Sequence, residues 1–402
     1  MMRSYSFFTI LILCGLLLFV DIFAFYWLQS ITQKIKLPYL ETIIISGFWI
    51  FTIGLILSIL ILKKRVDQMN TYRKQVLISS FYGIVIASFV PKLIFSIVIS
   101  ILYFTNYLFS EEESLLIVPV VGLLSGFLPF FVILNGIFRT LYRFKVYKIN
   151  VDIFPKDVTG LRIVHISDLH LGSFNFRYHI LERAVIIINN LEPDFIFFTG
   201  DLVNNHAWEL KGWSKVLSKL KAKYGKYSVL GNHDYGDYSK WKSKKAKQSN
   251  FELIKHFYDK IGFKLLLNES HIINFKNEKI AIVGVENWGN PPFKQYGNLE
   301  KSLINVNDMP FKILLSHDPS HWVEEVVSNT NIALTLSGHT HGMQAGLNIR
   351  KKEWSPIKYK YKQWAGLYKI NSQYLYVNRG LGWLGFPGRL GMRPEITLLE
   401  MV

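Results

Sequence analysis

The sequence predicts a multi-span α-helical membrane module followed by an α/β domain of two packed sheets flanked by helices. Three observations point that way. Hydrophobic residues make up 50% of the 402 positions and aromatics 15%, and the excess gathers before residue 139. Beyond residue 160, short apolar runs alternate with segments of helical spacing, then give way to strand-rich sequence from Lys264 to Glu286. Small polar blocks rich in Asp, Asn and His follow the apolar runs, where buried strands end and functional loops begin.

Taking the module first, Phe7 to Leu28 is apolar apart from Asp21, and Thr42 to Leu62 carries no charge. A hydrocarbon core of about 30 Å needs about 20 helical residues, so each suffices for one crossing. Leu115 to Phe138 is another uncharged span. The stretch from Val76 to Phe109 contains Pro91-Lys92 and reads as one crossing, starting near Phe81 and kinked at the proline, because two crossings would each be too short. The expected spans are therefore about 7–28, 42–62, 81–107 and 115–138, with a basic linker over 139–158 and the second domain over 159–402.

Loop charges orient the module. Lys63, Lys64, Arg65, Arg73 and Lys74 separate the second and third spans, and Arg139, Arg143, Lys145 and Lys148 follow the fourth. The opposite face has Lys34, Lys36 and the acidic Glu111-Glu112-Glu113 run. Positive loops stay in the cytoplasm, so the reading is an inner-membrane, multi-pass protein whose second domain faces the cytoplasm. Asp21 lies toward the end of its span and Lys92 beside a proline, so snorkelling or a mutual pair is expected and no transport path is inferred. Cys14 stands alone, which rules out a disulfide framework and a thiolate metal site.

In the second domain, Leu161–Ile166, Asp194–Phe198, Tyr227–Leu230, Lys312–Leu315 and Ile332–Leu336 read as strands, and Tyr178–Leu191, Trp208–Ala222 and Asn250–Ile261 as helices. Nearly every strand leads into a polar block. In order these are Asp168-Leu169-His170, Gly200-Asp201, Gly231-Asn232-His233-Asp234, Ser316-His317 and Gly338-His339-Thr340-His341. Carboxylate, amide oxygen and imidazole suit manganese, iron, zinc or magnesium, and the lack of thiolates argues against a structural zinc. A hydrolytic pair of divalent ions also needs a shared carboxylate, for which Asp201 is the natural choice.

With these blocks in hand, the chain from about Gly160 onward resembles the calcineurin-like metallophosphoesterases, whose pattern is D-x-H, G-D, G-N-H-[DE], a lone His and G-H-x-H. The resemblance implies an αββα sandwich and two ions. One would be held by Asp168, His170, Asp201 and His341, the other by Asp201, Asn232, His317 and His339. It also implies that His233 assists at the scissile phosphate, with Asp234 orienting its imidazole. Met343 departs from the glycine that many relatives carry and would shape the rim of the site.

Gln363-Trp364-Ala365-Gly366-Leu367-Tyr368, Asn378-Arg379-Gly380-Leu381-Gly382-Trp383 and Phe386-Pro387-Gly388-Arg389 place glycines, aromatics and arginines in loops around short strands. In this the carboxyl-terminal segment is similar to the membrane-associated branch that includes UDP-2,3-diacylglucosamine pyrophosphatases. Trp364, Trp383 and Phe386 would then line an acyl groove and Arg379 or Arg389 hold a phosphate; the competing reading is aromatic core with structural arginines. Three further histidines are expected to stand aside: His165 in the core, His206 at the rim, and His321 on a helix face.

The net charge of +17 falls mainly on the second domain, in clusters at Lys240, Lys242, Lys244, Lys245 and Lys247 and at Arg350, Lys351, Lys352, Lys358, Lys360 and Lys362. These are either a solvated surface or a face held toward anionic lipid headgroups, and with no recognised nucleic-acid module no nucleic acid is expected. The expectation is a membrane-anchored binuclear hydrolase of phosphoester or pyrophosphate bonds, with a nucleotide-linked lipid such as UDP-2,3-diacylglucosamine as leading substrate. A soluble substrate (a cyclic nucleotide or phosphoprotein) and a non-enzymatic membrane scaffold or sensor are the alternatives.

Overall fold

The computed structural model describes residues 7–33, 37–66, 68–109, 117–152, 158–276, 278–291, 293–349 and 352–402. Lys34, Lys36, the Glu111–Glu113 run, Arg350 and Lys351 lie outside the described residues. The chain divides into two compact units.

The first is built on four helices: α1 (Phe7–Thr32), α2 (Pro38–Arg65), α3 (Thr71–Phe109) and α4 (Ile117–Tyr142). Each is long and apolar enough to cross a membrane. Pro38 opens α2, where a missing N–H costs nothing, and Lys63, Lys64 and Arg65 end it, where cations complement the helix dipole. The third apolar stretch is a single helix continuous through Pro91. The first three helices extend beyond the expected spans and α4 runs past residue 138 to Tyr142, because flanking residues continue the backbone hydrogen bonding outside the apolar core.

Asp21 and Lys92 form the expected pair, with Lys92 Nζ 2.8 Å from Asp21 Oδ2. The same oxygen accepts the Thr52 hydroxyl, and the Lys92 ammonium lies 4.5 Å from the centre of the Phe48 ring. Their position corrects the span-end reading: Asp21, Thr52 and Lys92 all fall near the middle of the apolar segments Phe7–Thr32, Tyr39–Arg65 and Val76–Leu108. The cost of these ionisable groups is therefore met by a partner and not by snorkelling to an interface.

The second unit contains β1 (Lys145–Val151), β2 (Arg162–Ile166), α5 (Tyr178–Asn190), β3 (Phe195–Phe198), α6 (Ser214–Leu217), β4 (Gly225–Ser228), α7 (Lys244–Lys260), β5 (Lys264–Leu265), β6 (Glu269–Phe275) and β7 (Glu278–Gly284). It continues through α8 (Leu299–Leu303), β8 (Lys312–Leu315), β9 (Leu334–Ser337), β10 (Leu347–Ile349), β11 (Lys352–Trp354), β12 (Gly366–Ile370), β13 (Gln373–Val377) and β14 (Glu395–Met401). One six-stranded sheet runs β1-β14-β2-β3-β4-β5 and the other β12-β13-β9-β8-β7-β6. Within them β2, β3, β4 and β5 are parallel, as are β7, β8, β9 and β13.

Alternation along the strands builds the layers. Ile163, Phe195, Phe197 and Leu399 meet Ile282, Ile313, Leu315, Leu336 and Tyr376 between the two sheets. Their neighbours Val164, Ile196, Phe198 and Leu398 face outward onto Ile180 and Leu181 of α5 and Ile254 and Tyr258 of α7. On the far side, Val283, Leu314 and Leu375 pack with Leu299 and Leu303 of α8 and with Trp322. The result is the four-layered α/β sandwich that the sequence predicts.

Two helices differ from expectation. Trp208–Ala222 is not one helix but a short 3-10 turn, Ala207–Leu210, and the single turn α6. Gly212 between them has φ +80°, which breaks the helix, and a Cβ there would strike the Tyr178 ring. Conversely, α7 begins at Lys244, six residues before Asn250, because the Ser243 hydroxyl caps it by accepting the Ala246 N–H at 3.1 Å.

Lys92→Ala should destabilise the module by about 3–5 kcal/mol by leaving a buried carboxylate unpaired, and Asp21→Asn combined with Lys92→Met should recover most of the loss. Thermal unfolding of the full chain in detergent tests this; an unchanged melt for Lys92→Ala would show that the pair holds nothing together.

Candidate metal centre

The polar blocks leave the carboxyl ends of strands in both sheets. Asp168 and His170 follow β2, Asp201 follows β3, Asn232, His233 and Asp234 follow β4, His317 follows β8, and His339 and His341 follow β9. Five of these residues hold left-handed backbone conformations: Asp168 (φ 52°), His170 (46°), Asp201 (59°), His339 (72°) and His341 (52°). Such conformations cost about 1–3 kcal/mol each and persist only where surrounding structure enforces them.

The strain turns the donor atoms inward. One atom from each of Asp168, His170, Asp201 and His341 falls within a sphere where none is more than 4.8 Å from another, and all four residues are buried. His170 Nε2 lies 3.0 Å from His341 Nε2 and 3.5 Å from Asp201 Oδ2, and His341 Nε2 lies 3.3 Å from Asp168 Oδ1. A second group adjoins the first. His317 Nε2 is 3.4 Å from the same Asp201 Oδ2 and 3.1 Å from Asn232 Oδ1, and His339 Nδ1 is 2.9 Å from Asn232 Oδ1 and 3.3 Å from His317 Nε2. Two clusters of oxygen and imidazole donors thus share one carboxylate oxygen, an arrangement consistent with a binuclear divalent metal site.

Asp234 has a different task from the one expected. It makes no hydrogen bond to the His233 ring. Its Oδ1 accepts the N–H groups of Leu202 and Val203 at 2.9 and 3.2 Å, and its Oδ2 those of Asp201 and Gly231, both at 3.0 Å. One buried carboxylate thereby ties together the loops after β3 and β4. The His233 imidazole is oriented by the Asn204 carbonyl, 2.7 Å from Nδ1. The two loops approach so closely that a Cβ on Gly231 would overlap the Asp201 carboxylate, which explains the glycine there.

Electrostatics follow from burial and from Asp201. Burial, aided by the nearby His233 and His317 and opposed by Asp201, pushes His170 down to about 3, keeping the imidazole neutral as a ligand must be. Burial also lowers His233 and opposes ionisation of Asp201, but His317 and His233 beside Asp201 hold its carboxyl well below the usual range. Against its own burial, His317 is pushed up to about 10 by Asp201 and Asp168. The carboxylates that favour a proton on His317 would equally favour a cation beside it.

Arg379 and Arg389, expected at a substrate phosphate, are structural: each is only 3% exposed, both terminal nitrogens of Arg379 are paired within the protein, and so are all three nitrogens of Arg389. Arg379 pairs with Glu395 at 2.5 Å and with Glu353, while Arg389 donates to the carbonyls of Gly382 and Arg379. Trp383 packs in the core with its ring tilted against Phe174, centroids 4.5 Å apart, and is no groove wall. His321, four residues after His317, is buried between Ser316 Oγ and Glu325 Oε2, at 2.8 and 3.0 Å, away from the donor clusters. His165 is a core histidine bonded to Thr199 at 2.9 Å. His206 bonds Ser239 at 2.9 Å. Met343 holds φ 54° with an exposed side chain, the conformation glycine would adopt without strain.

Sequence reasoning missed Glu209, Tyr238 and Tyr361. Glu209 accepts the N–H groups of Asn204, Asn205 and His206, and Tyr238 and Tyr361 bond Asn232 and His339, each at 2.8 Å. Only Glu209 left a signal, as the acidic fourth position of a capping box opened by His206.

Asp234→Asn should cost about 1–3 kcal/mol, because an amide nitrogen would face one of the two pairs of backbone N–H donors, and it should lower bound metal as the Asp201 loop loosens. Thermal unfolding and elemental analysis check both; parent values for both would count against the tie.

Residues 161–343 match the family model described as calcineurin-like phosphoesterase, and residues 2–141 the one described as a probable calcineurin-like phosphoesterase transmembrane domain. The chain is 31% identical to metallophosphoesterase YkuE of Bacillus subtilis over 260 residues, covering 63% of this chain and 84% of that one. It is 31% identical to the transmembrane protein with metallophosphoesterase domain of Danio rerio, covering 62% of this chain and about half, 55%, of that longer one. Phosphodiesterase YaeI of Escherichia coli is 26% identical, with 64% of this chain and 88% of that one covered. With the Bacillus subtilis relative 31% identical and matched over 84% of its length, and both modules matched in order, the chain belongs to the calcineurin-like metallophosphoesterases, hydrolases of phosphoesters, in a membrane-anchored form.

Proposed function

We propose that this chain hydrolyses a phosphoester or pyrophosphate bond in a lipid-linked substrate, with one ion held by Asp168, His170, Asp201 and His341 and a second by Asp201, Asn232, His317 and His339. The observation that carries the reading is the Asp201 carboxylate oxygen shared at 3.5 and 3.4 Å between His170 and His317. Two divalent ions, of manganese, iron, zinc or magnesium, would supply Lewis acidity and a water made nucleophilic at neutral pH.

The remaining chemistry belongs to the protein. Because His233 Nδ1 donates to the Asn204 carbonyl, Nε2 is the nitrogen from which a proton can reach the leaving oxygen. Burial lowers the pKa of this histidine, and an arriving phosphate opposes that by favouring the imidazolium. Asp234 acts one step removed, by holding the Asp201 loop.

A lipid-linked substrate is supported by the four apolar helices that accompany the site in one chain. UDP-2,3-diacylglucosamine is the leading candidate, resting on family resemblance and membrane location; Arg379, Arg389 and Trp383, being structural, play no part in recognising it. The positive loops support an inner-membrane location with domain 159–402 facing the cytoplasm and the module ending near residue 138. The name of the Escherichia coli relative favours a second reading, a simple phosphodiester as substrate.

Purified full-length protein in detergent, reconstituted with Mn²⁺, should turn over nucleotide-linked lipids with higher kcat/KM than cyclic nucleotides or soluble diesters; equal or better turnover of the soluble esters would overturn the lipid assignment. Asp201→Asn should lose metal and activity together. His233→Ala should keep both metals while turnover falls on the order of 10²–10⁴-fold, and full activity on a substrate with a poor leaving group would remove it from the mechanism. A tag at Val402 should be reachable only from the cytoplasmic side.

A further inference from the structure

We infer that Tyr238 and Tyr361 are positioning residues that decide which atoms of Asn232 and His339 face the second ion. The inference rests on the ligand reading proposed above for Asp201, Asn232, His317 and His339.

An asparagine amide has two ends of nearly equal size, and only the oxygen can bind a cation. Asn232 Nδ2 donates to the Tyr238 hydroxyl at 2.8 Å, which leaves Oδ1 facing His317 Nε2 at 3.1 Å and His339 Nδ1 at 2.9 Å. Turned over, the amide would point its N–H groups into the cluster and leave the tyrosine oxygen without that donor. The Tyr238 ring is also held in place, 4.7 Å from the His233 ring.

His339 poses the same problem with two nitrogens. Nδ1 lies inside the donor cluster, so it must offer a lone pair, and the ring proton then resides on Nε2. That nitrogen meets the Tyr361 hydroxyl oxygen at 2.8 Å, an acceptor for the proton. The Asp318 carboxylate stands 4.0 Å from the same nitrogen, too far to take over. Tyr361 is fixed in turn by a small buried cluster with Trp364 and Met392.

Outer hydrogen bonds of this kind orient a ligand before the ion arrives, and their loss typically costs 10–100-fold in metal affinity. The first cluster involves neither phenol, so the effect should fall on one ion of the two.

Metal-stripped full-length protein in detergent would be titrated with Mn²⁺, with bound metal measured by elemental analysis and the spin-coupled pair distinguished from isolated ions by electron paramagnetic resonance. Tyr238→Phe and Tyr361→Phe should each bind the first equivalent as the parent does and the second about 10–100-fold more weakly, with an isolated-ion spectrum persisting where the parent shows the coupled one. Measuring well below the melting temperature of each variant keeps stability from mimicking affinity. Asn232→Ala and His339→Ala serve as references: if they still bind two equivalents with parent affinity, the ligand reading itself fails. If they drop to one equivalent while both phenylalanine variants keep parent affinity and the coupled spectrum, the positioning role alone is overturned.

Discussion

The Asp201 carboxylate is the point on which the catalytic unit turns. Its Oδ2 sits 3.5 Å from His170 and 3.4 Å from His317, and its Oδ1 accepts the His233 N–H at 2.9 Å, so one side chain touches both donor clusters and the backbone of the histidine block. Such a carboxylate cannot be left to rotate. Its backbone N–H is bound by Asp234, its φ is held at 59°, and the glycine opposite it leaves no room for a side chain. The left-handed backbone costs free energy and the Asp234 hydrogen bond offsets part of it; together these restraints define a single position for the oxygen that two cations would share.

Where that free energy comes from is visible in the layers beneath. The strands that deliver the blocks are buried on both faces, with Phe195 and Phe197 packed between the sheets and Ile196 and Phe198 against the helices. Burying a large apolar side chain is worth about 1.5–3 kcal/mol, comparable to the cost of one left-handed residue. A core of this extent can hold five such residues at the strand ends without losing the fold. The site is thus strained because the sheets beneath it are not.

Some of this was legible in the sequence and some was not, and the difference is physical. The strands were legible because Ile163-Val164-His165-Ile166 and Phe195-Ile196-Phe197-Phe198 are apolar runs too short for helices and end in Gly, Asp or His. The donor residues were legible because their types and order are those a metal pair requires. The break at Gly212 was hidden, since helical apolar spacing from Trp208 to Ala222 continues across it and only the Tyr178 ring makes the turn necessary. Partners set by long-range packing were hidden too. Nothing around Tyr361 in Lys358-Tyr359-Lys360-Tyr361 separates it from an exposed aromatic, and Arg379 and Arg389 resemble phosphate ligands until Glu395 and the Gly382 carbonyl appear beside them.

The membrane module follows the opposite logic from the strained site. For anchoring alone, apolar helices suffice, and replacing a buried ion pair with well-packed apolar residues is often neutral or stabilising. The Asp21–Lys92 pair therefore contributes something other than hydrophobic insertion. Because Asp21 Oδ2 receives Lys92 at 2.8 Å and Thr52 as well, it fixes α1, α2 and α3 relative to one another at mid-span, where apolar contacts alone would allow them to slide or rotate. Sliding by one turn would leave a carboxylate and an ammonium unpaired in hydrocarbon, a penalty that apolar mispacking would not impose. The same device serves both units: a carboxylate with several donors converging on it sets geometry, through Asp21 among the helices and through Asp234 beneath the metal centre.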